Sequence, residues 1–151
     1  MNMEIQAALD VADETDAFLQ ITDVIFDREA ELGYEDLSRA EKAVYCIDCL
    51  SREMENGGFG QLFHHDAGGL FLDMLEALEQ IRAKNTLAVM QQIVDFFPNS
   101  KIPSDEDERI ETFVKECSLD FRIKKDEIKK EFESFLGTVE EFYNKKRQEW
   151  L

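Results

Sequence analysis

From Gln6 to Leu32 the apolar residues recur at helical rather than alternating intervals. Phe18, Ile21, Ile25 and Leu32 stand three, four and seven residues apart, and Leu19 and Phe26 widen the same stripe. Steps of four and seven return to nearly the same angle, so Asp16, Asp23, Asp27 and Glu31 fall on the opposite side. The pattern leaves open whether Asp13 to Thr15 divides this stretch into two helices.

Ser38-Arg39-Ala40-Glu41 reads as a capping box. It opens a helix through Ala43, Val44, Ile47 and Leu50 to about Met54. Asn56-Gly57-Gly58 then supplies residues that accept positive φ, a natural stop. A short helical turn fits Phe59 to Phe63, and a longer helix fits Leu70 to Arg82, with Leu72, Leu75, Leu78 and Ile81 as its apolar set. Thr86 to Phe97 is a further helix closed by Phe97-Pro98, and Asn99 to Ser104 is a loop. Ser104 caps a helix through Ile110, Phe113 and Val114. Phe121, Ile128, Phe132 and Phe135 mark another helical face. Thr138 to Glu141 is a second capping box, opening a last helix with Val139, Phe142, Tyr143 and Trp150. No strand, repeat or low-complexity tract stands out. The expectation is an all-α fold, one domain over residues 1–151 with about seven or eight helices.

Charge changes the meaning of the first of these helices. The first 36 residues hold eleven acidic side chains against one basic one, Arg28, a net of −10 out of −17 for the 151-residue chain. Such a field repels nucleic acid and anionic membranes and attracts basic protein surfaces. The members of the Asp16 row lie on the order of 6–11 Å apart along a helix. DNA presents one phosphate per roughly 3.4 Å on each strand. A single row is therefore too sparse to copy a strand unless Asp10, Asp13, Glu14, Glu35 and Asp36 thicken it. On charge and spacing alone it reads first as a solvated face.

With 44% hydrophobic residues and twelve Phe, the chain has material for a core. No apolar run approaches the roughly 18 residues that span a bilayer, and Met1-Asn2-Met3-Glu4 lacks the features of a signal peptide. Three cysteines, an odd count, fit reduced thiols. The expected setting is a bacterial-type cytoplasm.

Candidate chemistry is sparse. Cys46-Ile47-Asp48-Cys49 has zinc-like spacing and His64-His65 follows, but neighbouring histidines on a helix point about 100° apart. Two semi-buried cysteines on a helix flank are the simpler reading, with no metal and no cofactor. No nucleophile motif is present, and Gly57-Gly58 with Gly60 lacks the strand and the Lys/Ser of a phosphate loop. The expected protein is not an enzyme. Asp105-Glu106-Asp107-Glu108 suits the positive end of a helix. The cluster Arg122, Lys124, Lys125, Lys129 and Lys130 reads as a solvated face pairing with nearby acids, with a second copy's acidic region as the alternative, giving a homodimer.

The segment Asn56-Gly57-Gly58-Phe59-Gly60-Gln61-Leu62-Phe63 resembles the N-G-G-F-x-Q-x-F signature of a bacterial family of DNA-mimic proteins, otherwise labelled a domain of unknown function. Glu53 before it, Leu75 to Ile81 after it and Phe96-Phe97-Pro98 agree with that family. The resemblance covers about residues 38–115. His64 and Ile81-Arg82-Ala83 depart from the family's Asn and Ile-Gly-Ala. Within the motif, Asn56 and the glycines are expected to reverse the chain, Phe59 and Phe63 to fill the core, and Gln61 to bond exposed backbone. The resemblance implies an all-helical fold, and in some members DNA mimicry that sequesters transcription factors as dimers. The functional expectation is a non-enzymatic module whose acidic face binds a basic DNA-binding protein, with no direct contact to nucleic acid or membrane. The alternatives are an immunity- or antitoxin-type inhibitor of a basic toxin or nuclease, and an uncharacterised hydrolase or metal-dependent enzyme.

Overall fold

The apolar face Ala43, Val44, Ile47 and Leu50 becomes the central axis of the fold. In the computed structural model, which describes residues 3–117 together with Asp126 and Lys130, and only the backbone of Glu14 and Thr15, these four residues are buried in helix α3 (Arg39–Asn56). The capping box at its start is formed. Glu41 N–H donates to Ser38 Oγ at 3.3 Å, and Ser38 N–H donates back to the Glu41 carboxylate at 2.8 Å. Two orphan donors of the first turn are thereby satisfied locally, so the helix start is fixed by sequence neighbours alone.

The chain begins with α1 (Met3–Leu9) and α2 (Glu14–Leu32), followed by a 3₁₀ turn at Tyr34–Asp36 and then α3. Next come α4 (Gly58–His64), a 3₁₀ turn at Asp66–Leu70, α5 (Phe71–Gln80) and α6 (Lys84–Phe96). A 3₁₀ turn at Pro98–Ser100, α7 (Glu106–Thr112) and a π-turn at Phe113–Cys117 complete the described part. Against α3 pack α2, α4 and α5, while α6 lies on α5, α7 on α4, and α1 on α2. The fold is all-α, and no strand occurs among the described residues. None of the described helices is long and apolar enough to cross a membrane. The helices expected around Phe121 to Phe135 and after Thr138 lie outside the described residues, as do Arg122, Lys124, Lys125 and Lys129.

Several expected faces are rotated. In α5 the buried set is Phe71, Met74, Ala77 and Leu78, while Leu72 is 68% exposed and Leu75 only partly covered. Spacings of three and four fit Phe71, Met74 and Leu78 as well as they fit Leu72, Leu75 and Leu78, and the larger ring wins the interior. In α2, Leu19 and Leu32 face outward and Ala17, Ile21, Thr22 and Ile25 are buried. Helix α2 packs on both α1 and α3, and Ala17 is 1% exposed in that packing, where small size suits a close approach. The cap of α7 is Asp105, not Ser104: its carboxylate accepts from Glu108 N–H at 2.9 Å. Glu106, Asp107 and Glu108 fill the first turn as expected, complementing its positive end. Val114 is exposed because the wider π-turn carries Phe113 and Cys117 inward instead.

The interior is organised around Phe63. Its ring stacks on Phe71 at 5.4 Å and on Phe59 at 6.2 Å, and meets Phe97 edge-on at 5.1 Å and Phe113 at 5.2 Å. Five rings, from α4, α5, the end of α6 and the π-turn, thus meet at one residue of the short helix α4.

Candidate functional site

Helix α2 divides from α1 at Asp13, which settles what the periodicity left open. The Asp13 carboxylate accepts from Asp16 N–H at 3.0 Å, and its own backbone is extended, as an N-cap requires. At the other end Gly33 takes a φ of 90° and its N–H closes on Glu29 C=O at 2.8 Å, ending the helix.

Between these ends, Asp16, Asp23, Asp27 and Glu31 are all exposed. At about 100° per residue they fall within an arc of roughly 80°, and at about 1.5 Å per residue they span roughly 22 Å. The buried set Ala17, Ile21 and Ile25 lies on the far side. The row is therefore a straight strip of carboxylates on one helix face.

What distinguishes the strip is where the nearby cations go. Arg28, the single cation of the first 36 residues, turns inward to Glu41, with Nε 2.6 Å from Oε1. On α3, Lys42 pairs with Glu35 at 3.2 Å, Arg39 with Glu76 at 3.3 Å, and Arg52 with Asp48 at 2.6 Å. Among the described residues, none of the four row carboxylates is in an ion pair. Each of these four cations is claimed by an acid outside the row.

The five carboxylates expected to thicken the strip divide. Asp10 and Asp36 are exposed at the two ends. Asp13 is engaged by the helix cap, and Glu35 is paired with Lys42. Glu14 opens α2 by its backbone.

Glu41 joins the strip to the rest of the fold, completing the α3 capping box while holding Arg28. Burial pushes its carboxyl up, but the Ser38 N–H, the Arg28 guanidinium and the Ser38 hydroxyl outweigh burial and hold it below the usual glutamate range. A native pKa below the unfolded one means that this carboxylate contributes stability in full above the unfolded value. That contribution is lost as pH falls through the lower native value. The gap in thermal midpoint between wild type and Glu41→Gln is accordingly expected to shrink as pH is lowered through the ordinary glutamate range and below it. Thermal scans across that range check it, and a constant gap would contradict the assignment.

The Asn56 to Phe63 segment is structural in its geometry. Asn56 ends α3, Gly58 adopts a φ of 72°, and Phe59 and Phe63 are buried, as expected. A Cβ on Gly57 would collide with the Gln61 side chain. Gln61 does not bond exposed backbone: its amide donates to the Glu53 carboxylate at 2.9 Å. The α3–α4 reversal lays Glu53 across the first turn of α4, where a charged acceptor outcompetes a carbonyl. The same carboxylate pairs with His65 Nδ1 at 3.1 Å. His64 Nδ1 lies 2.6 Å from Gly60 C=O, and because a carbonyl only accepts, that nitrogen carries the proton.

Burial holds Cys46 and Cys49 in the thiol form. Burial pushes the Cys46 thiol up to about 11, with Sγ 3.2 Å from Tyr34 Oη. Burial and the Asp48 charge push Cys49 up to about 12. Among the described residues no group of three His, Cys, Asp or Glu side chains is arranged to hold a metal ion.

Sequence reasoning missed Arg109, which is 1% exposed. Its guanidinium donates to the carbonyls of Phe63 at 3.3 Å and His65 at 3.2 Å at the end of α4. It also donates to those of Ser104 at 3.3 Å and Pro103 at 3.5 Å before α7. Gly68 leaves it room, since a Cβ there would lie 2.8 Å from Arg109 Nε.

A family model described as DMP19-like protein matches residues 35–151. The chain belongs to the DMP19-like protein family. No curated protein and no solved structure matches it. In this DMP19-like protein the matched span takes in α3 to α7 and the Asn56 to Phe63 segment, and runs beyond the 38–115 of the resemblance in both directions. The strip on α2 lies before the matched span, and only Glu35 and Asp36 of the candidate acids fall within it. Family membership and the acidic strip are thus independent observations.

Proposed function

We propose that this protein is a binding module without catalytic activity, whose α2 face takes the place of nucleic acid on a basic DNA-binding protein. The observation that carries the reading is that, among the described residues, Asp16, Asp23, Asp27 and Glu31 are in no ion pair while Arg28, Arg39, Lys42 and Arg52 are each paired with another acid. Free carboxylates on a fixed helix present charge without first having to break an internal ion pair. Membership of a DNA-mimic-type family supports the same reading. The mechanism is competitive: carboxylates stand where phosphates would, so affinity falls with salt. The partner is a basic, DNA-binding protein of the cytoplasm, and a second copy of the chain joins the complex in the dimeric form of the proposal.

The test is capture from a bacterial lysate at low salt, followed by competition with the captured protein's DNA. Replacing Asp16, Asp23 and Asp27 by Asn and Glu31 by Gln together is expected to weaken capture about thirtyfold. This takes about 0.5 kcal/mol for each exposed charge pair. Retention of a protein that DNA does not displace, or full binding by the fourfold variant, would overturn the reading.

A further inference from the structure

Arg52 stands where α3 meets the flank of the strip. Its Nε lies 2.6 Å from Asp48 Oδ2, an ion pair that is the contact holding this otherwise unpartnered buried oxygen. The guanidinium carbon sits 4.8 Å from the centroid of the Phe26 ring, which is itself stacked on Tyr45 at 4.5 Å. Phe26 is one helical turn after Asp23 on α2. Asp48 is 8% exposed. Burial pushes its carboxyl above the usual aspartate range, Arg52 opposes this, and the charges of Asp23 and Glu55 add to it. Asp23 and Asp48 therefore feel each other's charge across the α2–α3 contact, with Arg52 paired to Asp48 and lying over Phe26, three residues on from Asp23.

A guanidinium suits this position because it stacks flat on a ring and pairs through its edge at once. Its own exposure, 55%, leaves the charge within reach of solvent and of the strip. We infer that Arg52 is a built-in counter-cation, held by Asp48 and Phe26, that offsets the field at Asp23 and sets how strongly the strip takes a cationic partner. The inference rests on the acidic-face reading. It predicts that binding strengthens when a cation is removed at this one place, and that the effect depends on Asp48 remaining charged.

The test uses the full chain and fluorescein-labelled poly-L-lysine, read by anisotropy at about pH 8, well above carboxylate titration, with circular dichroism melts showing that each variant is folded. Arg52→Gln is expected to bind the probe about threefold more tightly at low salt, the effect of one unit charge at roughly 7 Å in water. Arg52→Gln with Asp48→Asn replaces an ion pair by a neutral pair and is expected to return to wild-type affinity. Lys101→Gln, in the loop after α6, removes the same charge away from α2 and is expected to change nothing. Equal binding by Arg52→Gln and Lys101→Gln, or a double variant that stays tighter than wild type, would overturn the inference while leaving the acidic face standing. If the fourfold strip variant binds the probe as wild type does, the acidic face fails and the inference fails with it.

Discussion

Replacing Arg109 by methionine is expected to destabilise the fold by about 4 kcal/mol. In a chain of this size that corresponds to a fall in thermal midpoint of roughly 12 °C. The cause is what the side chain leaves behind. Methionine fills much of the same volume, so packing survives, but the carbonyls of Phe63, Ser104 and Pro103 lose the guanidinium, that of Phe63 in the buried interior, and the His65 carbonyl keeps only Gly68 N–H. A buried acceptor left bare costs about 1–3 kcal/mol, which applies in full to the Phe63 carbonyl and in part to the partly covered carbonyls of Ser104 and Pro103. The guanidinium also sits against the negative end of α4, which favours its charge. Arg109→Lys keeps the charge but not the planar fork that spans two loops, so about half the loss is expected. Urea denaturation of the three proteins checks the order. If lysine and methionine cost the same, the charge at the end of α4 contributes nothing.

Phe63→Ala is expected to cost about 4 kcal/mol, the range for a large ring removed from a closed interior. Phe59, Phe71, Phe97 and Phe113 contact its ring from separate elements, so no single movement closes the cavity. Phe63→Leu is expected to cost less than half of that. The two sites are coupled, because Arg109 Nε donates to the Phe63 carbonyl. A double variant is therefore expected to lose less than the two single losses added together, since either change loosens the same end of α4. Strict additivity in a double-mutant cycle would show that ring and carbonyl are held independently.

These residues also show what the sequence makes legible. The capping box of Ser38 and Glu41 and the burial of Phe59 and Phe63 follow from neighbours within a few positions, and they form as expected. The side of α2 that carries Asp16, Asp23, Asp27 and Glu31 was equally readable, because a helix fixes angles from spacing alone. The edges of the apolar faces were not. Leu19 and Leu72 fit the period, but which edge of a stripe is covered depends on the neighbour across it. Adjacent Ser104 and Asp105 are both good caps, and the choice between them is made by the path of the loop. Arg28 and Arg109 were hardest, since an arginine in an acidic protein is expected outside and their partners are distant in sequence. A signal for Arg109 did exist. Helix α4 ends in His64-His65 with no glycine to close it, so its last carbonyls needed a donor from elsewhere.

The inward turn of Arg28 has a consequence for handling the protein. Its ion pair with Glu41 lies behind α2, where the carboxylate is only 7% exposed, whereas the strip faces solvent on the other side. Mobile ions screen exposed charges strongly and covered ones weakly. Added salt therefore acts on the two sides of one helix unequally, releasing whatever is held in front before it loosens what is tied behind. Under the proposed binding role, a salt gradient would wash a partner off while leaving the protein folded.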